Sequence, residues 1–329
     1  MGHYADRTVS MRSALGRELP VEVVRQLHER SLWKHALVSA GLVIGLLIGI
    51  FGAALLEPWY LWTPFAVVAG FAVFDFTILL HEVVHSTVLP TRNDRLNGFL
   101  GFLYALPSGI SASQFTRWHL DHHAELGSDT DDPKRHHLSP KVNARWLKIL
   151  YFTPALFFIY FRAASKETRD YPAGLRRRIM IERLLTIGLH IGLIGVLGST
   201  VGWWVTFKAW IVPYFFVFPV AFALNRLGQH YDITPEEPEK WATLVRGSRL
   251  WDLVYLCSNY HLEHHYFPGV PLYNLPKLQR LLRPWYERHG MVPTTFPRLF
   301  WHYIVLNKAP HTEWGSSAES TSLVLADPR

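Results

Sequence analysis

The run HALVSAGLVIGLLIGIFGAALL, His35 to Leu56, contains no Asp, Glu, Lys or Arg over 22 residues. As a helix rising about 1.5 Å per residue it reaches about 33 Å, enough to cross the ~30 Å hydrocarbon core of a bilayer. Leu184 to Phe207 is a second such run, of 24 residues. A 329-residue chain with 18% charged residues has the length for one large soluble domain or two smaller ones, but charge-free runs of this kind decide against both. The expectation is an all-α integral membrane protein. Residues rich in Arg and Glu precede the first run and no small-residue cleavage site follows them, so it reads as a retained helix and not as a signal peptide.

Working outward, four transmembrane helices are expected, at about 35–56, 59–80, 183–199 and 203–224. Glu57-Pro58 and Ser199-Thr200-Val201-Gly202 make the tight connections. Neither connection holds a Lys or Arg, whereas residues 1–34 hold 6, 91–180 hold 14 and 225–329 hold 11. The positive-inside rule then places those three regions, and both termini, on the cytoplasmic side. Lys208, close to the outer end of the fourth span, is expected to snorkel outward. Leu96–Thr116 is uncharged but broken by Pro107 and three glycines, and Ile149–Phe161 carries Pro154. Both are expected to be interfacial or re-entrant, packed on protein.

At the ends, residues 1–18 read as loosely held. Val21–Trp33 has the pattern of an amphipathic helix, either at the membrane interface or solvated, and 311–329 reads as a loose tail. The division is therefore an N-terminal cytoplasmic segment 1–34, a main domain 35–310 and the tail. A single cysteine, Cys257, excludes an intrachain disulfide and fits a reducing compartment. The net charge of +7 is assigned to loops facing anionic lipid; no nucleic-acid partner is expected.

Half of the eighteen histidines sit in four short places. They are His81-Glu82-Val83-Val84-His85, His119-Leu120-Asp121-His122-His123, the single His230, and His261-Leu262-Glu263-His264-His265. Spacings of i, i+3 and i, i+4 put imidazoles on one helical face, and imidazole is the commonest protein metal ligand. The second and fourth spans end just before His81 and His230, and the other two groups lie in the cytoplasmic segments connected to them. All nine rings can meet at one depth beneath the membrane, in a helical cytoplasmic cap. Neutral imidazoles suit Zn, Cu, Ni and Fe, and nine exceed the needs of one ion, so two ions are expected. Each place also has an acid nearby: Glu82, Asp121, Asp232 and Glu263 are expected to hold the second ring N–H and fix the tautomer.

These motifs resemble the histidine boxes, HExxH, HxxHH and HxxHH, of the membrane fatty acid desaturase and hydroxylase superfamily. The third box continues as His264-His265-Tyr266-Phe267-Pro268-Gly269-Val270-Pro271 and then Leu275-Pro276-Lys277-Leu278. That is similar to the HHxFPxxPxxxLPxL tail of acyl-lipid desaturases. Ser128-Asp129-Thr130-Asp131-Asp132-Pro133 is similar to the acidic loop after the second box in stearoyl-CoA desaturases. The resemblance covers roughly residues 20–290. It implies a non-haem di-iron centre that uses O2 and two electrons to oxidise an unactivated C–H bond, with an acyl chain as substrate. His81, His85, His119, His122, His123, His230, His261, His264 and His265 would be its ligands. Stearoyl-CoA desaturases place an Asn four residues before the isolated histidine; here that position is Arg226 and Asn225 is five before, so Asn225 is left out of the metal shell.

Without a His-Pro-Gly-Gly haem motif in the chain, electrons are expected from a separate ferredoxin, rubredoxin or cytochrome b5 type of protein, docking on a basic cytoplasmic surface. The membrane would be a bacterial inner membrane or the endoplasmic reticulum. Hydroxylation or ketone formation on a carotenoid or alkane uses the same boxes and stays open. The HExxH alone would also serve a membrane zinc protease with Glu82 as general base, which leaves seven clustered histidines without a role. A metal-binding sensor without O2 chemistry is the non-enzymatic alternative. Outside the boxes, Asp75 is a candidate outer group or a helix-to-helix hydrogen bond, and His190 a packing residue. His136 and His137 are expected to face water, Trp203 and Trp204 to anchor at the interface, and Arg176-Arg177-Arg178 to orient the third span.

Overall fold

Ser31 Oγ accepts from the backbone N of Lys34, and from that cap a 24-residue helix runs to Leu55 where Glu57-Pro58 stops it. In the computed structural model, which describes residues 2–128, 130–134, 140, 142–231, 234 and 236–311, it is the first of four long apolar helices. The described elements in order are α1 (His3–Arg7), α2 (Val9–Glu18), α3 (Val21–Leu27), α4 (Leu32–Leu55) and α5 (Trp59–Val84). Next come α6 (Asp94–Ala105), α7 (Ala112–Glu125), α8 (Arg145–Leu150), α9 (Ala155–Thr168), α10 (Ala173–Thr200) and α11 (Trp203–His230). The rest are α12 (Arg249–Val254), α13 (His261–Tyr266), α14 (Leu275–Leu281), α15 (Arg283–Arg288) and α16 (Phe296–Phe300). Among the described residues there is no β-strand, only one isolated bridge between Val245 and Thr294. By length and composition α4, α5, α10 and α11 are long and apolar enough to cross a membrane.

These helices begin or end beyond the expected spans. α5 continues through His81 to Val84, α11 runs to His230, and α10 starts at Ala173. The expected second and fourth spans end just before ionic side chains, yet Glu82 and Arg226 lie inside the protein, at 4% and 7% exposure, so the backbone has no reason to leave the helix there. α5 is the central element: 61% of its most apolar window is buried, against 17% for α4. Small residues let the partners approach. A Cβ on Gly49 of α4 would fall 2.7 Å from the Ala69 backbone N, and one on Gly70 would fall 2.4 Å from Val217 of α11. Within α11, Phe207–Val217 is π-helical and contains Pro213, which has no N–H to give the ordinary ladder.

Several expectations change. Residues 2–18, expected to be loosely held, are packed: Met11 and Leu15 are each 2% exposed and pack with Leu27, Tyr260, Leu262 and Trp285, so the apolar stripe of α2 has a core to join. α3 buries Leu27 against the same cluster and ends there, before α4 begins. Lys208 does not snorkel. Its side chain is fully buried, and Nζ donates to the Leu56 carbonyl at 2.8 Å and lies 3.3 Å from Glu57, so it satisfies a free carbonyl at the end of α4. Leu96–Thr116 divides into α6 and α7 around a turn where Gly109 takes φ 73°, and Tyr151–Pro154 separates α8 from α9. Neither stretch forms a helix long enough to span a bilayer. His311 is buried and bonds the Arg226 carbonyl at 2.8 Å, so the fold extends to that residue; the rest of the predicted tail lies outside the described residues.

Candidate metal centre

Four helix ends bring the histidines together. α5 offers His81 and His85 one turn apart, and it closes with Ser86 at φ 55° and a bond from Thr87 N to the Glu82 carbonyl. α7 offers His119 and, one turn later, His122 and His123, and α11 ends on His230. α13, only six residues long, carries His261, His264 and His265. It follows Leu256 and Cys257, whose φ values of 43° and 64° are uncommon for residues with a Cβ; such backbone strain is frequent at functional sites.

The nine rings separate into two groups. His81, His85, His119, His123 and His264 form one, and His122, His230, His261 and His265 the other; within each, the potential ligand atoms lie within 4.8 Å of one another. The groups adjoin, with the His123 and His265 rings stacked at 4.3 Å between centroids. All nine expected histidines are thus in one place, and His190 is elsewhere, bonded to the Leu106 carbonyl at 2.8 Å and packed on Tyr214.

The donor set fits a cation in each group. His122 Nδ1 donates to Asp132 Oδ1 at 2.9 Å, and His230 Nδ1 donates to the Trp241 carbonyl at 2.7 Å. With Nδ1 protonated, the Nε2 atom of each neutral ring carries a lone pair. These two lone pairs face each other at 3.0 Å, and His261 Nε2 is 2.9 Å from His230 Nε2. No proton is left to share between His122 and His230, so a positive ion is the natural partner. Two nitrogens bound at about 2.1 Å and at right angles would be about 3.0 Å apart. In the other group His85 and His119 approach to 2.8 Å, and His123 and His264 to 3.1 Å. Burial first, then neighbouring cations such as Lys134, holds His119, His122, His261 and His264 well below the usual imidazole range. Burial does the same to His123 and His265, next to other rings. The rings are neutral near pH 7, the form that binds metal.

The acids expected to orient these rings do other things. Glu82 accepts from Thr87 Oγ1 at 2.7 Å and from Leu272 N at 3.0 Å, and stands 3.9 Å from His81 Nδ1. Asp121 faces outward and pairs with Arg117 at 2.7 Å. Glu263 accepts from Tyr286 at 2.6 Å and Gln279 at 2.8 Å, and burial raises its carboxyl. These three carboxylates brace the helices that carry histidines and touch no ring nitrogen. Asp232 lies outside the described residues, as do His136 and His137. Among the described residues, Asp132 is the acid that bonds a ring nitrogen, His122 Nδ1, and its place in the loop after the second box was the available signal; the Trp241 carbonyl, a backbone group, left none. Asn225 bonds Ser258 and Gln229 and belongs to neither group. Asp75 is buried, with Oδ1 unpartnered among the described residues.

Fold and site together define a helical protein with four helices long and apolar enough to cross a membrane and two adjoining groups of imidazoles that could each hold a metal ion. The chain belongs to the fatty acid desaturase family, whose profile matches residues 57–297. It is a desaturase-family membrane oxidoreductase. It is 24% identical over 258 residues to a human (Homo sapiens) sphingolipid delta(4)-desaturase/C4-monooxygenase, covering 75% of this chain and 72% of that one. It is 26% identical over 272 residues to an sn-1 acyl-lipid omega-3 desaturase (ferredoxin) of Nostoc sp. (strain 36), covering 74% and 72%. To the dihydrorhizobitoxine desaturase of Bradyrhizobium elkanii it is 25% identical over 251 residues, covering 70% of each. The zinc-protease alternative is set aside: His81 and His85 share their group with three further imidazoles, and Glu82 is turned to Thr87 and Leu272.

Proposed function

We propose that the protein is a membrane-bound non-haem di-iron desaturase acting on the acyl chain of a fatty acid or lipid. His81, His85, His119, His123 and His264 would hold one iron, and His122, His230, His261 and His265 the other. The observation that carries this is the division of nine neutral imidazoles into two adjoining groups, each compact enough for one ion. Bound iron would supply O2 activation: two hydrogens would leave adjacent carbons of the chain, two electrons would come from a donor protein and two protons from solvent, and O2 would be reduced to two waters. The chain's own residues orient the centre and exclude water. Asp132 and the Trp241 carbonyl fix two rings, while Thr87, Tyr286 and Gln279 keep Glu82 and Glu263 engaged away from the metals.

The centre, the helical cap around it and both termini would face the cytoplasm, since the Lys and Arg excess lies in residues 1–34, 91–180 and 225–329. One relative's name specifies ferredoxin, which supports a separate electron-carrying protein of ferredoxin, rubredoxin or cytochrome b5 type. Hydroxylation is the second reading, favoured by relatives whose name joins desaturase and C4-monooxygenase. Purified protein is expected to contain about two irons per chain, and one zinc in their place would sink the proposal. Lipid profiles of a host expressing the protein, compared with His122→Ala, should differ in unsaturated or hydroxylated chains.

A further inference from the structure

Past His230 the chain has left its fourth long helix, yet part of it turns back along the apolar length of the bundle. The Tyr255 hydroxyl reaches the Ala221 carbonyl at 3.4 Å, and the Tyr255 ring lies 5.8 Å from that of Phe71 and 5.9 Å from that of Phe74. Ala221 precedes His230 by nine residues and Phe71 precedes His81 by ten, so these partners lie about 13–15 Å back from the histidines along their helices. Trp251 stacks on Tyr255, and Phe296 packs on both. The aromatic residues of α12 and α16 therefore pack at the level of the long helices and not beyond their ends.

Between these short helices and α11 runs a groove of about 550 Å³. Val220 and Leu224 of α11, Trp251 of α12, Phe296 and Phe300 of α16, and Phe152 form its walls, and among the described residues no charged or hydroxyl-bearing side chain lines it. None of its lining residues belongs to the cavity of about 90 Å³ beside His81, His119 and His261. Near it Ile149, Leu253 and Trp301 are exposed, Leu253 at 74%, which would be an unfavourable surface to turn to water. The turn that continues α16 to Val305 ends in carbonyls that protein groups satisfy: Lys148 Nζ donates to Tyr303 at 3.0 Å, and Arg145 donates to Ile304 at 2.8 Å and to Val305 at 3.0 Å. In water such helix-end carbonyls find partners in solvent, whereas in hydrocarbon the protein has to supply them.

We propose that α12 and α16 are seated in the bilayer leaflet on the histidine side, and that the groove between them and α11 holds one acyl chain of a membrane lipid. Continuity argues for that occupant. Val220 and Leu224 belong to a helix long and apolar enough to cross the membrane, so a lipid chain lying along α11 extends onto Trp251 and Phe300. This lipid is a resident of the fold and not the molecule being oxidised, because its groove is separate from the cavity beside the histidines. Only six residues lead from Tyr255 to His261, so the seat sets the depth of α13 and its three rings. The inference rests on the membrane-crossing helices and not on the desaturase reading.

The test places full-length protein in nanodiscs of phosphatidylcholine with and without bromine on the acyl chains, since bromine quenches indole emission on contact. Subtracting the emission of Trp251→Phe from that of the wild type isolates Trp251 among the 13 tryptophans. That difference should lose most of its intensity with brominated chains and little with aqueous iodide. Trp285, buried beside Met11 and Leu15, is the control: read the same way through Trp285→Phe, it should be quenched by neither. Should Trp251→Phe fail to fold, Phe300→Trp adds an emitter to another wall of the groove and should gain a component that bromine quenches. A Trp251 signal that brominated chains leave intact, or that iodide quenches as strongly, overturns the proposal. Iron per chain, measured on the same samples, tests the metal centre separately, so either reading can fail while the other stands.

Discussion

The two histidine groups differ in how they are held. All four rings of the His122, His230, His261 and His265 group are buried, and two have Nδ1 anchored by Asp132 and the Trp241 carbonyl. In the five-membered group His81, His85 and His123 are half-buried, and the rings pack mainly on one another, as at His81 and His264, 4.3 Å between centroids. One group is aimed by hydrogen bonds from outside; the other is aimed by its own crowding. A centre built this way has one end with little freedom and one end with room to rearrange.

Removing a ring from the anchored group should do most damage. His261→Ala is expected to lower bound iron from about two to about one per chain and to cut product by more than the roughly 10–100-fold that loss of an outer partner costs. His85→Ala, with four rings left around its ion, should lose less iron in the same assay. Equal losses in the two variants would erase the contrast between the groups.

Asp132→Asn is next. It removes the carboxylate from His122 Nδ1, and iron affinity at that group should fall roughly 10–100-fold while the other ion is retained. Titration with a graded chelator, reading iron per chain, checks it.

Acid should act on the apo-protein in a defined direction. Rings such as His122 and His261 stay neutral in the fold well below the usual imidazole range, whereas in the unfolded chain they titrate near 6.5. Below about pH 6.5 the unfolded chain therefore binds protons that the fold does not, and stability falls as pH drops; above that value the effect vanishes. The thermal midpoint of iron-free protein should decline from pH 7.5 to 5.5, and a flat profile contradicts the burial of neutral rings.

The smallest effect belongs to Asp121. Its pair with Arg117 is at the surface, so Asp121→Asn should change stability by no more than about 1 kcal/mol and leave the iron count unchanged. Glu263→Gln, by contrast, disturbs a buried acceptor of two hydrogen bonds and should cost about 1–3 kcal/mol by thermal melt, again with both irons retained.

Much of this was legible in the chain. Long apolar runs pointed to the four long helices and the repeated histidine spacings to eight of the nine clustered rings, because both are properties of local sequence; His230 was reached from its place after the fourth span and from the family resemblance. What escaped depends on distant partners. Glu82, Asp121 and Glu263 sit beside ligand positions in sequence, but alternate residues on a helix face different ways, and each found Thr87, Arg117 or Tyr286 instead. Lys208 read as a surface cation because nothing local announces the Leu56 carbonyl it meets. α2 read as loose because its stripe of Met11, Leu15 and Leu19 is short, and its core is supplied by residues some 240 positions later.

The start of the chain is fastened where the centre is built. The His3 backbone N bonds Glu125 at the end of α7, the Tyr4 hydroxyl lies 3.4 Å from the His265 carbonyl, and the Tyr4 and His3 rings rest on Trp241. A Cβ at Gly2 would come within 2.4 Å of the Ala124 carbonyl oxygen. A larger side chain at Gly2 would therefore push on the helix bearing His119, His122 and His123, so a change far from these three in the sequence would be felt at all of them.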